Sequence, residues 1–282
     1  MSRTVTRSVR GARGRTIVYD VTRPGSDSET EEVGVTFLVH GLGEHGGRYG
    51  HVARRLCDAG YVVVVPDHAG HGRSDGSLRQ INRFADFVDD LGRVIESVET
   101  DGKPVFLIGH SMGGAIALSY ALDHPAGLAG LVLSGPGVVV GDDVPPLLAK
   151  LAPLLSKVVP WMPGTELSAD ALSRDEAVGA AYAADPMVWH GKVPAGVGGA
   201  LIGEMGTYPA RLPSLTLPTL VLHGGDDRLT DPEGSRMVGR LAGGDDVTVK
   251  IYPGLFHEIF NEPEQDQVLD DVVAWLAAHN AQ

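Results

Sequence analysis

Cysteine is almost missing from this sequence of 282 residues: Cys57, within ARRLCDAG, stands alone. A disulfide within the chain and a cysteine-built zinc site are therefore excluded, and Cys57 reads as a small core residue. Basic residues are also scarce. Twenty-three Lys and Arg face 36 Asp and Glu, a formal charge of −13 that repels nucleic acid. No apolar run reaches the roughly 18 residues of a membrane span, so any membrane contact has to be peripheral. The arginines at positions 3, 7, 10, 13 and 15 are followed by no apolar stretch of signal-peptide length. The expected location is cytoplasmic, with this basic segment as a solvated edge strand rather than a lipid-binding arm.

What is present is enough apolar material for a sizeable core, 43% of residues. It falls in six short, unalternating runs: VGVTFLVH (33–40), YVVVVPD (61–67), PVFLIGH (104–110), LAGLVLSG (128–135), LPTLVLHG (217–224) and VTVKIYPG (247–254). Runs of this kind predict strands of a parallel sheet buried on both faces. Residues 10–23 predict an N-terminal strand or hairpin, and PGSDSETEE (24–32) an exposed acidic loop. Helical patterns lie between the strands, at 48–60 with Gly60 as C-cap, at 81–100, from Ala115 to the stop at Pro125, and in a last stretch opened by Pro263. The alternation implies an α/β fold with its chemistry beyond the carboxyl ends of the strands.

Between about Gly137 and Pro213 the alternation breaks, with many prolines and no clear strand. The expected division is a core of residues 1–136 and 214–282 carrying an inserted cap at 137–213. Within the cap, VPPLLAKLAPLLSKVVPWMP (144–163) sets Leu147, Leu148, Leu151, Leu154, Leu155, Val158, Val159 and Met162 along one helical stripe, divided by Pro153. The stripe either packs on the body of the protein or roofs an acyl-chain tunnel and lies on a lipid surface. On the second reading Leu147, Leu151, Leu154 and Leu155 line the substrate.

The densest motif is GHSMGG (109–114), where the run PVFLI meets the helical pattern AIALSYAL. Gly109-x-Ser111-x-Gly113 matches a nucleophile elbow, in which a sharp strand-to-helix turn thrusts the serine hydroxyl clear of the sheet. A serine needs a base, and the base an acid to orient it. Enzymes built on such an elbow place these in the order serine, acid, histidine. Of eleven histidines, His257 in the late loop PGLFHEIFNEP is the candidate base. HGGDDRLTD (223–231) supplies the acid: Asp227, with Asp226 as its rival. Oxyanion donors are expected at the backbone N–H groups of Met112, after the serine, and Leu42, in His40-Gly41-Leu42-Gly43. His110, beside the serine, is counted with the substrate-binding residues. DHAGHGRSDG (67–76) reads as a shaped structural loop, since no HEXXH-type spacing supports a metal site. No cofactor is expected.

HGLGEHGGRY (40–49), DHAGHGRSDG, GHSMGG, AYAADPMVWHGKVPAG (181–196), HGGDDRLTD and YPGLFHEIFNEPE (252–264) together resemble the α/β-hydrolase superfamily, and more closely its monoacylglycerol lipases, above all mycobacterial members. The resemblance implies an α/β-hydrolase fold and hydrolysis of a monoacylglycerol to fatty acid and glycerol by Ser111, Asp227 and His257. It also implies that Glu44, Arg48 and Tyr182 lie near the glycerol end of the substrate, although Glu44 and Arg48 have a second reading as a structural ion pair. Mammalian relatives carry a glycerol-binding histidine where this chain has Phe260, and a cysteine where it has Thr230. A carboxylesterase or lysophospholipase would use the same atoms. A dehalogenase would want Asp at position 111, and a non-enzymatic receptor would not need the full set.

Overall fold

The computed structural model describes residues 2–25, 31–140, 154, 158–166 and 168–280. In it every apolar run becomes a strand: β3 (Gly34–Val39), β4 (Tyr61–Pro66), β5 (Val105–His110), β6 (Gly130–Ser134), β9 (Thr219–Gly224) and β10 (Val247–Tyr252). A hairpin precedes them, β1 (Arg3–Arg10) and β2 (Thr16–Arg23). It starts seven residues before the expected position 10. β1, the solvated edge strand expected of the basic N-terminal segment, is exposed along nearly its whole length, with Thr4, Thr6 and Ser8 alternating with Val5, Arg7 and Val9. The eight strands form one sheet in the order β1-β2-β4-β3-β5-β6-β9-β10. Only the β1–β2 and β2–β4 pairings are antiparallel. This is the α/β-hydrolase arrangement.

The unalternating runs are explained by two cores. In β3, Phe37 and Val39 face one cluster while Leu38 faces the other; in β5, Leu107 faces the first and Phe106 and Ile108 the second. The first face is covered by α2 (Phe84–Glu96) and α3 (Met112–Asp123), the second by α1 (Gly50–Asp58) and a C-terminal helix, Gln265–His279. In α2 the buried Phe84, Phe87, Val88, Leu91 and Val94 follow the helical period. Gly60 closes the turn after α1 at φ 92°, a conformation that favours glycine. The last helix starts two residues later than expected, with Glu264 at its N-cap and Pro263 outside.

Between β6 and β9 the chain adds α4 (Glu176–Ala184), α5 (Ala195–Met205) and α6 (Tyr208–Arg211). Contrary to the sequence reading, it also adds strands, β7 (Pro163–Glu166) and β8 (Lys192–Pro194), paired antiparallel. Each is short and contains proline, so neither shows the period-two pattern by which a strand is read. Of the expected stripe, Leu154 and Val158 are helical and 61% and 64% exposed, and Trp161 beside them is 65% exposed. Leu147, Leu151, Leu155 and the break at Pro153 lie outside the described residues, as does most of the acidic loop 24–32. No helix among the described residues is long and apolar enough to cross a membrane.

Three buried histidines brace the loops beyond β3 and β4. The His68 N–H donates to His40 Nε2 at 3.1 Å, the His68 ring reaches the His40 carbonyl at 3.0 Å, and His71 packs 5.3 Å from His40 between ring centroids. Asp67 shapes the same loop by accepting from the backbone of Gly46 and from Arg73. No group of metal-ligating side chains occurs there or elsewhere among the described residues. Burial lowers the pKa of all three rings, His68 to about 3 and His71 to about 4. Folded rings stay neutral while unfolded ones titrate near 6.5, so their stabilisation is present above that pH and is lost as pH falls toward 4. Each pH unit in that window costs about 1.4 kcal/mol per ring. The urea midpoint should therefore drop steeply between pH 7 and 5, and a flat profile would contradict this account.

Candidate active site

Ser111 sits between β5 and α3 at φ 54° and ψ −120°, the strained geometry of an elbow. Two of its glycines are fixed by crowding. A Cβ on Gly113 would come within 2.1 Å of the Val39 carbonyl oxygen, and one on Gly109 within 2.4 Å of the Gly113 carbonyl oxygen. Only bare backbone lets α3 approach β3 and β5 this closely. The Ser111 N–H is held by the Ser134 carbonyl at 3.0 Å, and the Ser111 carbonyl accepts from Gly137 N–H. Met112 opens α3, so its N–H has no partner within the helix and lies at the positive end of the helix dipole.

The loop after β3 passes directly over the serine. A Cβ on Gly41 would meet Ser111 Cβ at 3.3 Å. Gly41 N–H donates to Glu44 Oε1 at 2.6 Å, and Gly43, at φ 78°, takes its carbonyl to the N–H of Trp189 at 2.7 Å. Leu42, between them, is half-buried against the first core.

From the other side β9 and β10 bring in the acid and the base. His257 Nδ1 donates to Asp227 Oδ2 at 2.7 Å, and both side chains are buried. Asp226 turns to solvent. Asp227 also accepts the N–H groups of Leu229 and Thr230 at 2.8 and 3.0 Å, and lies 3.1 Å from His223 Nε2. Burial alone would favour its neutral form. The nearby His257 charge and the hydrogen bonds from His223, His257 and Thr230 outweigh that and hold the carboxyl far below its ordinary range. His257 responds in kind: burial lowers its pKa, and Asp227 more than restores it to a raised value. With Nδ1 committed to the carboxylate, Nε2 is the nitrogen left for a serine proton.

His110 packs 4.6 Å from His257 between ring centroids and touches Ser134 Oγ at 3.2 Å through Nδ1. Burial, reinforced by His257, pushes its pKa down to about 3, so it stays neutral beside the base. Glu44 and Arg48 form the ion pair at 2.6 Å. Tyr182, on α4, lies under the Arg48 guanidinium at 4.9 Å from the ring centroid. Phe260 is fully buried in the second core, its carbonyl 2.7 Å from His51. Thr230 Oγ1 lies 2.8 Å from Asp227 Oδ2 and 3.2 Å from His257 Nδ1.

Three groups escaped the sequence reading. Glu258, next to His257, receives the Arg48 fork at 2.6 and 2.7 Å. His223 is a second imidazole on Asp227, anchored by Ser235 at 2.6 Å. Asp185, after α4, meets His45 at 2.9 Å. A charged residue inside the apolar stretch GLFHEIF was the available signal for Glu258; for the other two the sequence offers none.

The serine aminopeptidase S33 hydrolase family matches residues 30–264. A monoacylglycerol lipase of Mycolicibacterium smegmatis is 46% identical over 96% of this chain and 96% of its own length. The monoglyceride lipase of Homo sapiens is 36% identical over 87% and 82%. The crystal structure of a monoacylglycerol lipase from Paleococcus ferrophilus, 32% identical, superposes with a TM-score of 0.81 over 89% of this chain and 96% of that one.

The two neighbouring aspartates provide a direct test. Asp227→Asn should cut ester turnover by about 10⁴-fold through loss of the correct imidazole tautomer, while Asp226→Asn stays near wild type. The reverse order would move the acid to Asp226.

Proposed function

The chain belongs to the serine aminopeptidase S33 family of α/β-hydrolases, alongside the monoacylglycerol lipases, and on that premise we propose that it hydrolyses monoacylglycerols to fatty acid and glycerol. The observation that carries the reading is the buried Asp227–His257 pair behind a strained, partly accessible Ser111. His257 Nε2 takes the Ser111 proton as Oγ attacks the ester carbonyl. The N–H groups of Met112 and Leu42 hold the resulting oxyanion, each such donor contributing about 10²–10³ in turnover. Collapse of the intermediate expels the glycerol oxygen, which takes from His257 the proton that Ser111 gave up. A water then repeats the sequence on the acyl-serine, and free acid leaves.

Residues 137–213 form the cap in this reading. In the same reading Glu44, Arg48 and Tyr182 border the polar end; a cavity of about 610 Å³ lined by Asp170, Tyr182 and His190 shares only Tyr182 with them and reaches neither Ser111 nor His257. The cap side is apolar: Leu154, Val158, Trp161 and Met162 stand exposed within nine residues of sequence. Exposed apolar groups of this density suit the surface of a lipid aggregate, where the substrate resides.

A panel of mono-, di- and triacylglycerols, a lysophospholipid and a short soluble ester tests the substrate on wild type and Ser111→Ala, with released fatty acid quantified. Preference for monoacylglycerol, abolished in the variant, is expected. Activity confined to the lysophospholipid or the short ester would replace the substrate but keep the serine. For the cap, Leu154→Ser combined with Trp161→Ser should weaken partitioning onto phospholipid vesicles relative to wild type. Equal partitioning of the two folded proteins would argue against lipid contact there.

A further inference from the structure

Arg48 joins parts of the site that are distant in sequence. Its Nη1 lies 2.6 Å from Glu44 Oε2 and 2.6 Å from Glu258 Oε1, and its Nη2 lies 2.7 Å from Glu258 Oε2. The three side chains are 11%, 4% and 4% exposed. Glu44 passes the contact on through Oε1, which accepts from Gly41 N–H and Tyr49 Oη, each at 2.6 Å. Gly41 immediately precedes Leu42, whose amide is the proposed oxyanion donor. Glu258 immediately follows His257. Its own N–H donates to the Leu172 carbonyl at 2.7 Å, and Asn261 Nδ2 donates to its Oε2 at 2.8 Å.

We propose that the Glu44–Arg48–Glu258 bridge is a strut fixing the oxyanion loop against the histidine loop, with Glu258 a positioning residue for ester hydrolysis and Arg48 its crosspiece. The proposal rests on the Ser111 hydrolase reading. Two loops separated by 210 residues carry the groups that must converge on one carbonyl, the oxyanion donor and the proton carrier. A bidentate guanidinium–carboxylate contact is the stiffest side-chain link available for setting their separation. The guanidinium is also largely spent. Three of its hydrogen bonds go to carboxylates and one face lies on Tyr182, so little of the fork remains to grip a substrate hydroxyl.

The charge count adds a second consequence. Two carboxylates share one cation, leaving a net negative charge near His257 in addition to Asp227. As His257 becomes an imidazolium during attack, this surplus favours it; the groups surrounding the ring are Asp227, Glu258, Glu44, Arg48 and the neutral His110.

Steady-state kinetics of Glu258→Gln and Arg48→Lys, on a monoacylglycerol and on a p-nitrophenyl ester that lacks glycerol, decide the matter. Misalignment should lower kcat about ten- to hundred-fold on both esters with KM little changed. In Glu258→Gln the acid limb of kcat/KM should move to lower pH, which a general loss of structure would not produce. A loss confined to the monoacylglycerol, or expressed in KM, would make these residues a head-group site and overturn the strut. Wild-type kcat in Glu258→Gln would overturn it outright. If Glu258→Gln does not fold, Glu258→Asp, which keeps the charge but shortens the reach, takes its place under the same kcat and KM outcomes, with the acid limb expected to stay near its wild-type position. Labelling of wild-type Ser111 by a fluorophosphonate probe, absent in Ser111→Ala, tests the underlying hydrolase reading separately.

Discussion

A charged carboxylate kept inside the protein is the constraint around which the active site is arranged. Unpaired, the buried Asp227 would shed its charge by taking a proton. Here it is surrounded by donors from four sources: the backbone of its own turn, the Thr230 hydroxyl, the imidazole of His223 and the imidazole of His257. The turn after β9 is therefore shaped by the carboxylate as much as it shapes it. Because one donor comes from the loop after β10, satisfying Asp227 also docks that loop and selects the tautomer of His257. Stability and readiness for catalysis come from the same hydrogen bonds.

The serine side depends on close approach instead of charge. Gly113 lies so near the Val39 and His40 carbonyls that α3 is fixed against β3, and with it the direction in which Ser111 leaves the sheet. The loop after β3 then becomes the junction of the molecule. It reaches α3 through Gly41, the histidine loop through Glu44 and Arg48, and the segment 185–189 through His45–Asp185 and Gly43–Trp189. Little of this is apolar packing. Directional polar contacts suit a region where separations between donors and acceptors decide rate.

The apolar sheet was legible because strands buried on both faces leave long unalternating runs, and all six were found. The exposed β1 showed only through its arginines, which mark a solvated edge; the short β7 and β8 were not found, since proline-containing pairs lack the pattern that burial imposes. At the site, chain order pointed to His257 among eleven histidines without saying what the others do. His40, His68 and His71 turn out to be neutral rings, each with at least one nitrogen on a backbone atom, a role set by burial and therefore silent in the sequence. Asp226 and Asp227 differ by one position, and the difference emerges from the direction each side chain takes out of the turn. Glu258 shows the limit most clearly. Beside the candidate base it is marked only as a charge within an apolar stretch, and its meaning depends on Arg48, 210 residues away, which only the folded chain brings within 2.6 Å. Motifs record the groups that touch the substrate; the groups that hold those in place are scattered along the chain, each answering to a neighbour that sequence spacing does not name.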